Sequence, residues 1–456
     1  MLRKLLCVVG AGLLLVPAMA ISAQADCAEQ ITLRVDDWSS GDRVEYMNQV
    51  LEAFMAENPC VTVVTEPNIS DDANTRRLTQ ILTGTAPDLI ATGESWIPLY
   101  QEAGAFLDLT PFIQGENGFD PAEIFYEGVF NQGFYRGVPY AIAKDYSTSA
   151  FYINNALFEA AGIPLPEDGW TWDDVLDIAL ELTVDANGNN ANSPDFDPEN
   201  IVQYGIDIIP DGWWRGFQSY LYSWGAHTIS DDGTTTAGYL DSENAVAAWE
   251  FYRDLVNVYH VAPSATILGS IEGGRTQMFQ DGQLAIGNTF HGPWWQDVFN
   301  ETPNLSWSVA PLPAGPDGIR ESAVMWMGWG INANTEHPDE AWALLRWLTT
   351  EPGQRVFALK ALSADRAVSE EMQRVDDPYW GVFIAEADHL GQLDEQLNPY
   401  YGPCVFTPAG DLLTRVMSDG GEEIDIAAEL TALSAEADAC LAEAAEAGVA
   451  AVAEGS

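Results

Sequence analysis

The sequence predicts an α/β protein of two lobes, each built on a mostly parallel sheet covered by helices. Strand-like and helix-like segments alternate along the chain, which is typical of such sheets. The first 25 of the 456 residues have the composition of a secretory signal peptide, and their removal leaves 431 residues. A chain of that length is long for one hydrophobic core, so two lobes are expected.

The signal peptide is indicated by its three parts. A basic dipeptide near the start precedes the apolar run LLCVVGAGLLLVPA, and the small-residue motif Ala-Gln-Ala ends at Ala25. The apolar run is too short to span a membrane. We expect cleavage after Ala25 and a periplasmic or secreted protein. Asp26 precedes Cys27, where a lipoprotein signal would carry a small apolar residue, so no lipid anchor is expected.

The first elements follow one another in a βαβαβ order. The strand ITLRVDDW precedes RVEYMNQVLEAFMAEN, in which Met47, Val50, Leu51 and Phe54 recur at helical spacing. The strand VTVVTEP, the helix NTRRLTQILTG and the short strand DLIAT come next. This order predicts neighbouring parallel strands joined by helices.

Later segments read as amphipathic helices. TWDDVLDIALELT has Thr171 as N-cap and Asp174 three residues later, which is a capping box. DSENAVAAWEFYRDLVNVYH and HPDEAWALLRWLTT repeat the pattern, and their Trp249 and Trp347 are expected in the core. The second begins near Pro338, a residue favoured in the first helical turn. The Ala- and Glu-rich tail from 422 to 456 predicts one or two packed helices.

Four cysteines remain after the signal peptide takes Cys7 with it. In an oxidising compartment they suggest two disulfides, for which three pairings are possible. Cys27 stands just before the strand ITLRV and Cys60 just before VTVVT. If these strands are parallel neighbours, both cysteines lie at one edge of the sheet, so we predict the pairs 27–60 and 404–440.

The charge and the motif search exclude several functions. The chain has 18 basic and 69 acidic residues, so nucleic acid and anionic lipid are not expected as partners. The loop 185–200 resembles an EF-hand, but Asn190 and Phe196 stand where Gly and Glu are required, so no metal is expected. Catalytic and cofactor motifs such as the nucleophile elbow, the zinc-binding H-E-x-x-H and the P-loop are absent. We therefore expect no cofactor and no enzymatic activity.

Four sequence blocks resemble, in the same order, the extracellular solute-binding proteins (family 1) of carbohydrate-uptake ABC transporters. They are LTGTAPDLIATGESWIPLYQEAGAFLDLTPFI (82–113), the Gly-x-Pro-Tyr strand and Thr-Trp-Asp-Asp helix within 135–183, FQDGQLAIGNTFHGPW, and MGWGINANTEHPDEAWALLRWLTTEPGQRVF (327–357). The resemblance implies a periplasmic-binding-protein-like fold with a hinge and a ligand cleft between the lobes. It also implies transporter permease subunits as membrane partners and a monomeric binding protein.

The crossings between lobes are expected near residues 143, 287 and 336. The expected segments are the signal peptide 1–25, the first lobe 26–143, the second lobe 144–287, a return to the first lobe 288–336, and the second lobe with C-terminal helices 337–456.

Ligands of open α/β sheets lie beyond the carboxyl ends of strands. Almost every predicted strand is followed there by an indole or a carboxylate, which suits the apolar face and hydroxyl rim of a neutral sugar. The stretches DGWWRGFQSYLYSWG and HGPWW add paired tryptophans beside Gly and Pro. The candidate ligand-binding residues are Trp38, Ser39, Glu94, Trp96, Asp145, Tyr146, Trp213, Trp214, His291, Trp294, Trp295, Gly328 and Trp329.

Several candidates have a structural alternative. One ring of each tryptophan pair is expected to point inward, Trp326 is expected in the core, Asp145 could pair with Lys144, and Glu94 could cap the next helix. The resemblance adds Arg366, although the usual Leu-Pro before it is replaced here. Tyr400 and Tyr401 are further candidates for the rim of the second lobe.

The sequence therefore predicts a sugar-binding subunit that delivers a mono- or oligosaccharide to a permease. Two alternatives remain open. One is a secreted carbohydrate-active enzyme, because hydrolase clefts are also lined by aromatic residues. The other is the same importer role with a polyol or a glycerol phosphodiester as cargo. A sensory partner for the same binding protein also remains open.

Overall fold

The structure is a computed structural model that describes residues 27–41, 43–68, 72–208, 214–289 and 295–448. The predicted signal peptide lies outside the described residues. In the described part, no helix is both long and apolar enough to cross a membrane. The strands are β1 (Ile31–Asp37), β2 (Val61–Pro67), β3 (Leu89–Gly93), β4 (Phe134–Tyr135), β5 (Val138–Pro139), β6 (Ile142–Ser147), β7 (Ala150–Asn154), β8 (Val184–Asp185), β9 (Ile201–Ile206), β10 (Leu284–Thr289), β11 (Trp307–Ala310), β12 (Met325–Ile331) and β13 (Leu362–Ser363).

Helices alternate with these strands along much of the chain, as the sequence predicts. The helices are α1 (Arg43–Glu57), α2 (Ala73–Leu82), α3 (Ile97–Glu102), α4 (Thr110–Ile113), α5 (Pro121–Ile124), α6 (Glu127–Asn131), α7 (Asn155–Ala161), α8 (Trp172–Leu182), α9 (Trp214–Ser223), α10 (Glu243–Asn257), α11 (Ala265–Ser270), α12 (Gly274–Gln280), α13 (Gln296–Glu301), α14 (Pro338–Thr349), α15 (Glu351–Phe357), α16 (Arg366–Glu371), α17 (Trp380–Ala385), α18 (Thr407–Val416) and α19 (Ile426–Ala447).

The strands form two large sheets, one in each lobe. The first sheet has the order β13-β6-β12-β3-β1-β2 and the second has the order β11-β7-β10-β9-β8. In the first sheet β1 is parallel to β2 and β3, whereas β12 is antiparallel to β3 and β6. In the second sheet β10 is parallel to β9 and antiparallel to β7. Both sheets are therefore mixed and contain more antiparallel than parallel pairs, so the prediction of mostly parallel sheets is wrong. The direction of β12 and β7 matters for the site.

The local predictions for the helices are confirmed. The predicted face of α1, from Met47 to Phe54, is buried. The Thr171 side chain and the Asp174 side chain form both hydrogen bonds of the capping box at the start of α8. Pro338 begins α14, and a single long helix, α19, occupies most of the acidic tail. Trp249 is fully buried as predicted, whereas Trp347 is only partly buried against the core, and its indole nitrogen donates to the Val50 carbonyl at 3.1 Å.

Both predicted disulfides are present. Cys27–Cys60 has a Cα separation of 5.5 Å and lies beside the first residues of the parallel strands β1 and β2. Cys404–Cys440 joins α19 to the segment before α18. The second disulfide borders an apolar cluster that includes Leu78 and Tyr100 of the first lobe and Tyr401 of the second, so the lobes pack against each other there.

The positions at which the chain changes sheet differ from the prediction. β6 runs to residue 147 in the first sheet and β7 begins at residue 150 in the second, so the crossing lies after 147 instead of near 143. β10 and β11 belong to the second sheet, so the return occurs between 310 and 325 and not at 287. After 336 the chain stays with the first sheet through β13 before α18 and α19 pack on α9 and α10. The predicted segments 288–336 and 337–456 are wrong in this respect, because the apolar pattern of a strand does not indicate its sheet.

The segment 380–389 forms hydrogen bonds with the chain at both places where it passes between the two large sheets. The Thr148 hydroxyl, between β6 and β7, donates to the Phe383 carbonyl at 2.6 Å. The backbone N–H of Leu312, just after β11, donates to the Glu386 carboxylate at 3.1 Å. Arg320 also pairs with Glu386. Burial raises the pKa of Glu386, although the Arg320 guanidinium opposes that shift.

Candidate functional site

The candidate site lies where the carboxyl edges of the two sheets meet. β12 is antiparallel to both β3 and β6, so β6 is parallel to β3, and β3 is in turn parallel to β1. All three strands therefore end at the same edge of the first sheet. In the second sheet β9 and β10 end where β7 begins, since Thr289 lies opposite Ala150. Only residues 148 and 149 separate β6 from β7. The crossing therefore joins the two carboxyl edges, and the cleft between them is the place where a ligand is expected.

Trp38 stands at this edge, one residue beyond the end of β1, and is only partly buried. Its ring centre lies 4.9 Å from that of Trp329. The Lys144 ammonium lies 5.3 Å from the centre of the Trp38 ring and 2.8 Å from the Asp145 carboxylate. One part of the indole is thus held by neighbours and another part remains exposed, as a platform for an apolar ligand face requires.

Gly328 and Trp329 do not stand where the sequence predicts. Both lie inside β12, and Trp329 is fully buried, with its indole nitrogen donating to the Asp36 carbonyl at 2.8 Å. β12 is antiparallel to β3 and β6, so its amino end at Met325 lies at the cleft edge, and later residues of the strand lie farther from that edge. The prediction that Gly328 and Trp329 follow a carboxyl end at the cleft is therefore wrong. Trp326 is buried, as predicted.

Glu94 and Trp96 follow the end of β3 as predicted. The Glu94 side chain is buried and accepts a hydrogen bond of 2.9 Å from the backbone N–H of Trp326 at the neighbouring strand. Trp96 is partly buried and packs on Tyr100 with ring centres 5.6 Å apart. The turn at 94–96 contacts the turn at 394–396, which belongs to the second lobe. The two lobes are thus in contact at these two turns, each of which carries a buried glutamate.

A buried polar network on the second-lobe side was not predicted. The Gln218 side-chain amide donates to the Glu395 carboxylate at 2.8 Å. Asp394 accepts hydrogen bonds from the backbone N–H and the hydroxyl of Thr228 at 2.7 and 2.6 Å. The His227 Nδ1 lies 2.9 Å from Asp394. With 69 acidic residues in the sequence, no pattern distinguished these carboxylates from the others.

The charges that act on His227 come from segments that are far apart in the sequence. Burial alone would lower the pKa of His227, but the hydrogen bond and charge of Asp394, with Glu321 and Asp231 nearby, raise the pKa above the usual value for histidine. Glu321 lies in the segment that returns to the first lobe, and burial raises its pKa. Asp394 and Glu321 therefore both favour the charged form of His227.

The other candidates at the first-lobe edge are largely buried. The backbone N–H of Ser39 donates to the Asp37 carboxylate at 2.8 Å. Tyr146 lies opposite Trp326 within the sheet, and burial raises the pKa of its hydroxyl. Asp145 pairs with Lys144, which confirms the structural alternative for this residue. Tyr400 and Tyr401, the predicted rim residues, are both buried.

The remaining tryptophan and histidine candidates either lie outside the described residues or pack on the second-lobe core. Trp213, His291 and Trp294 lie outside the described residues, as does the side chain of Trp214. Trp295 is partly buried and stacks on Phe299 of the second-lobe core, with ring centres 5.9 Å apart.

Arg366 is exposed and lies away from the cleft edge. Its guanidinium donates to the Ala122 carbonyl at 3.3 Å. β13 is antiparallel to β6, so the chain after Ser363 runs away from the cleft. The neighbouring residues Asp365 and Ala367 line a groove of about 760 Å³ beside the end of α1, at the opposite edge of the sheet. The position that the resemblance gave to Arg366 is therefore wrong.

The fold and the cleft define a two-lobe binding protein. The family model described as bacterial extracellular solute-binding protein matches residues 38–355, and the chain belongs to that family. Among curated relatives, a putative binding protein of Brucella abortus is 27% identical over 339 residues, covering 72% of this chain and 74% of the relative. A maltotriose-binding protein of Pyrococcus abyssi is 23% identical, covering 68% of this chain and 61% of the relative.

Solved structures show the same fold. The sugar-binding protein MalE of Xanthomonas citri superimposes with a TM-score of 0.75 at 19% identity, covering 90% of this chain and 98% of that chain. The substrate-binding protein Lmo0181 of Listeria monocytogenes, in complex with cycloalternan, gives a TM-score of 0.71 at 18% identity over 91% and 100% of the two chains. These similarities establish the two-lobe fold predicted from the sequence.

Proposed function

We propose that this protein is the sugar-binding component of an ABC importer and that it binds a neutral mono- or oligosaccharide in the cleft between its lobes. The observation that carries the proposal is the convergence of a partly exposed indole, Trp38, with buried carboxylates at the edge where both sheets end. Indole rings suit the apolar face of a pyranose, and carboxylates suit its hydroxyl groups. Trp38, Ser39, Glu94, Trp96 and Asp145 are the described residues proposed for this edge.

The relatives support a carbohydrate as cargo. One curated relative is named for maltotriose, and one solved structure of the same fold contains cycloalternan. Closure of the lobes over the sugar would present different faces to a permease in the open and closed states. We propose that the protein acts outside the cytoplasm, as a monomer without enzymatic activity, and hands the sugar to permease subunits.

The proposal is tested by a thermal-shift screen of the protein without residues 1–25. The panel contains mono-, di- and oligosaccharides, polyols and glycerol phosphodiesters. A sugar present at a hundred times its dissociation constant is expected to add about 2.7 kcal/mol to the free energy of unfolding. We expect a neutral sugar to shift the melting temperature by several degrees and to be recovered unchanged.

Other outcomes identify the alternatives. A shift with a polyol or a phosphodiester alone would contradict the sugar assignment and keep the importer role. Consumption of a sugar would contradict the binding role and indicate a carbohydrate-active enzyme. Glu94 and Glu395, which are buried carboxylates of the two turns in contact between the lobes, would then be the first residues to replace.

A further inference from the structure

Lys144 is the extra residue of a β-bulge at the cleft end of β6. Asp145 and Ala143 pair with consecutive residues of β12, so Lys144 has no residue opposite it in that ladder. Its carbonyl oxygen instead accepts a hydrogen bond of 2.6 Å from the Gln354 side-chain amide. Bulges change the direction of a side chain and are frequent beside functional sites.

The bulge directs the lysine side chain beneath the Trp38 ring. Only 4% of the Lys144 side chain is exposed. Its ammonium lies 5.3 Å from the centre of the Trp38 ring and 4.9 Å from that of Phe357. Asp145 lies 2.8 Å away and balances the charge. Trp329, fixed to the backbone of β1, supports the same indole from a second direction.

A lysine is a costly choice for this position. Burial of an ammonium group is unfavourable even when it is paired, whereas methionine would fill the same space without that penalty. Lysine is also rare in this sequence, since only Lys4, Lys144 and Lys360 occur. The cation therefore requires an explanation beyond packing, and its contact with the partly exposed Trp38 ring supplies it.

We propose that Lys144 is a positioning residue that fixes the orientation of Trp38 for the ligand through a cation–π contact and an ion pair with Asp145. This inference rests on the proposed function and deepens it. β6 leads within a few residues into the first crossing between the lobes. The orientation of the indole is thus linked to the strand that enters the second lobe, so the platform and the hinge are set together.

The test compares Lys144→Met, Lys144→Arg and the control Arg415→Met. Arg415 is an exposed cation that pairs with Glu429 on the C-terminal helices. Two readouts are used: the circular-dichroism couplet of the adjacent Trp38 and Trp329 indoles without ligand, and the dissociation constant for the sugar found in the screen. We expect Lys144→Met to weaken the couplet and raise the dissociation constant about tenfold, as a desolvated cation–π contact would.

Lys144→Arg keeps a cation at the ring and is expected to restore most of the couplet and of the affinity. Arg415→Met is expected to match the wild-type protein in both. A folded Lys144→Met variant with an unchanged couplet and unchanged affinity would overturn the inference. If this variant does not fold because Asp145 loses its partner, Lys144→Met/Asp145→Asn removes both charges, and the ligand-free couplet gives the comparison, since Asp145 is itself proposed for the sugar edge.

The two proposals fail separately. If the wild-type protein binds no sugar, the proposed function is contradicted, and the ligand-free couplet still decides whether Lys144 orients Trp38. If the wild-type protein binds sugar and Lys144→Met binds it equally well with the couplet intact, only the positioning role is contradicted.

Discussion

Trp38 and Trp329 lie 4.9 Å apart in the first lobe, and their surroundings are opposite. Trp38 follows β1 at its carboxyl end and keeps part of its ring exposed, whereas Trp329 lies inside β12 and is fully buried. The difference comes from strand direction, because β1 ends at the cleft and β12 begins there. The same residue type beside the same kind of apolar strand is therefore partly exposed at the cleft edge in one place and part of the core in the other.

The largest effect is expected for Trp329→Ala. Truncation of a fully buried indole leaves a cavity and should reduce the free energy of unfolding by about 3–5 kcal/mol. Urea unfolding followed by circular dichroism measures this loss. A loss below about 1 kcal/mol would show that this ring is not part of the core and would remove the contrast with Trp38.

A smaller loss of stability is expected for Gly328→Ala. An added Cβ would overlap the Ile142 carbonyl oxygen and the Trp326 ring, so β6 or the indole must move. Such overpacking usually costs about 1–3 kcal/mol. Gly269→Ala is the matched control, because a Cβ there meets no atom within 4 Å. Equal stability of the two variants would contradict the close approach of β12 to β6.

The smallest effect is expected from the pH dependence of the His227 network. The folded-state pKa of His227 is raised, so the stability that its charge contributes is complete below the unfolded pKa and is lost as pH rises through the folded pKa. Melting temperatures of the wild-type protein and His227→Asn, measured from mildly acidic to mildly alkaline pH, should therefore differ most at the acidic end. Parallel curves would show that Asp394 does not favour the charged form.

The sequence was sufficient to predict most of the fold. Helical faces such as Met47 to Phe54, the capping box of Thr171 and the disulfide of Cys27 depend on local pattern and on neighbouring parallel strands, and the structure has all of them. The crossings between sheets were placed incorrectly after residues 143, 287 and 336. A strand such as β11 satisfies its apolar pattern in either sheet, and only tertiary pairing assigns it to the second.

The candidate site was predictable where a strand ends at the cleft and not elsewhere. Trp38 and Glu94 follow such strands, and the structure places both at that edge. The prediction for Trp329 was wrong because the pattern of apolar residues does not indicate whether a strand runs parallel or antiparallel to its neighbours. The hydrogen bond between Gln218 and Glu395 could not be predicted from the sequence, because the two residues are far apart along the chain and carboxylates are abundant.

The most direct test of the sugar-binding account is the affinity of Trp38→Ala for the sugar that stabilises the wild-type protein. Isothermal titration of both proteins should show a dissociation constant near micromolar for the wild type, about −8 kcal/mol, and a loss of at least about tenfold for the variant. Urea unfolding should show a smaller loss of stability than for Trp329→Ala. Wild-type affinity in a folded Trp38→Ala variant would contradict the placement of the sugar at this edge.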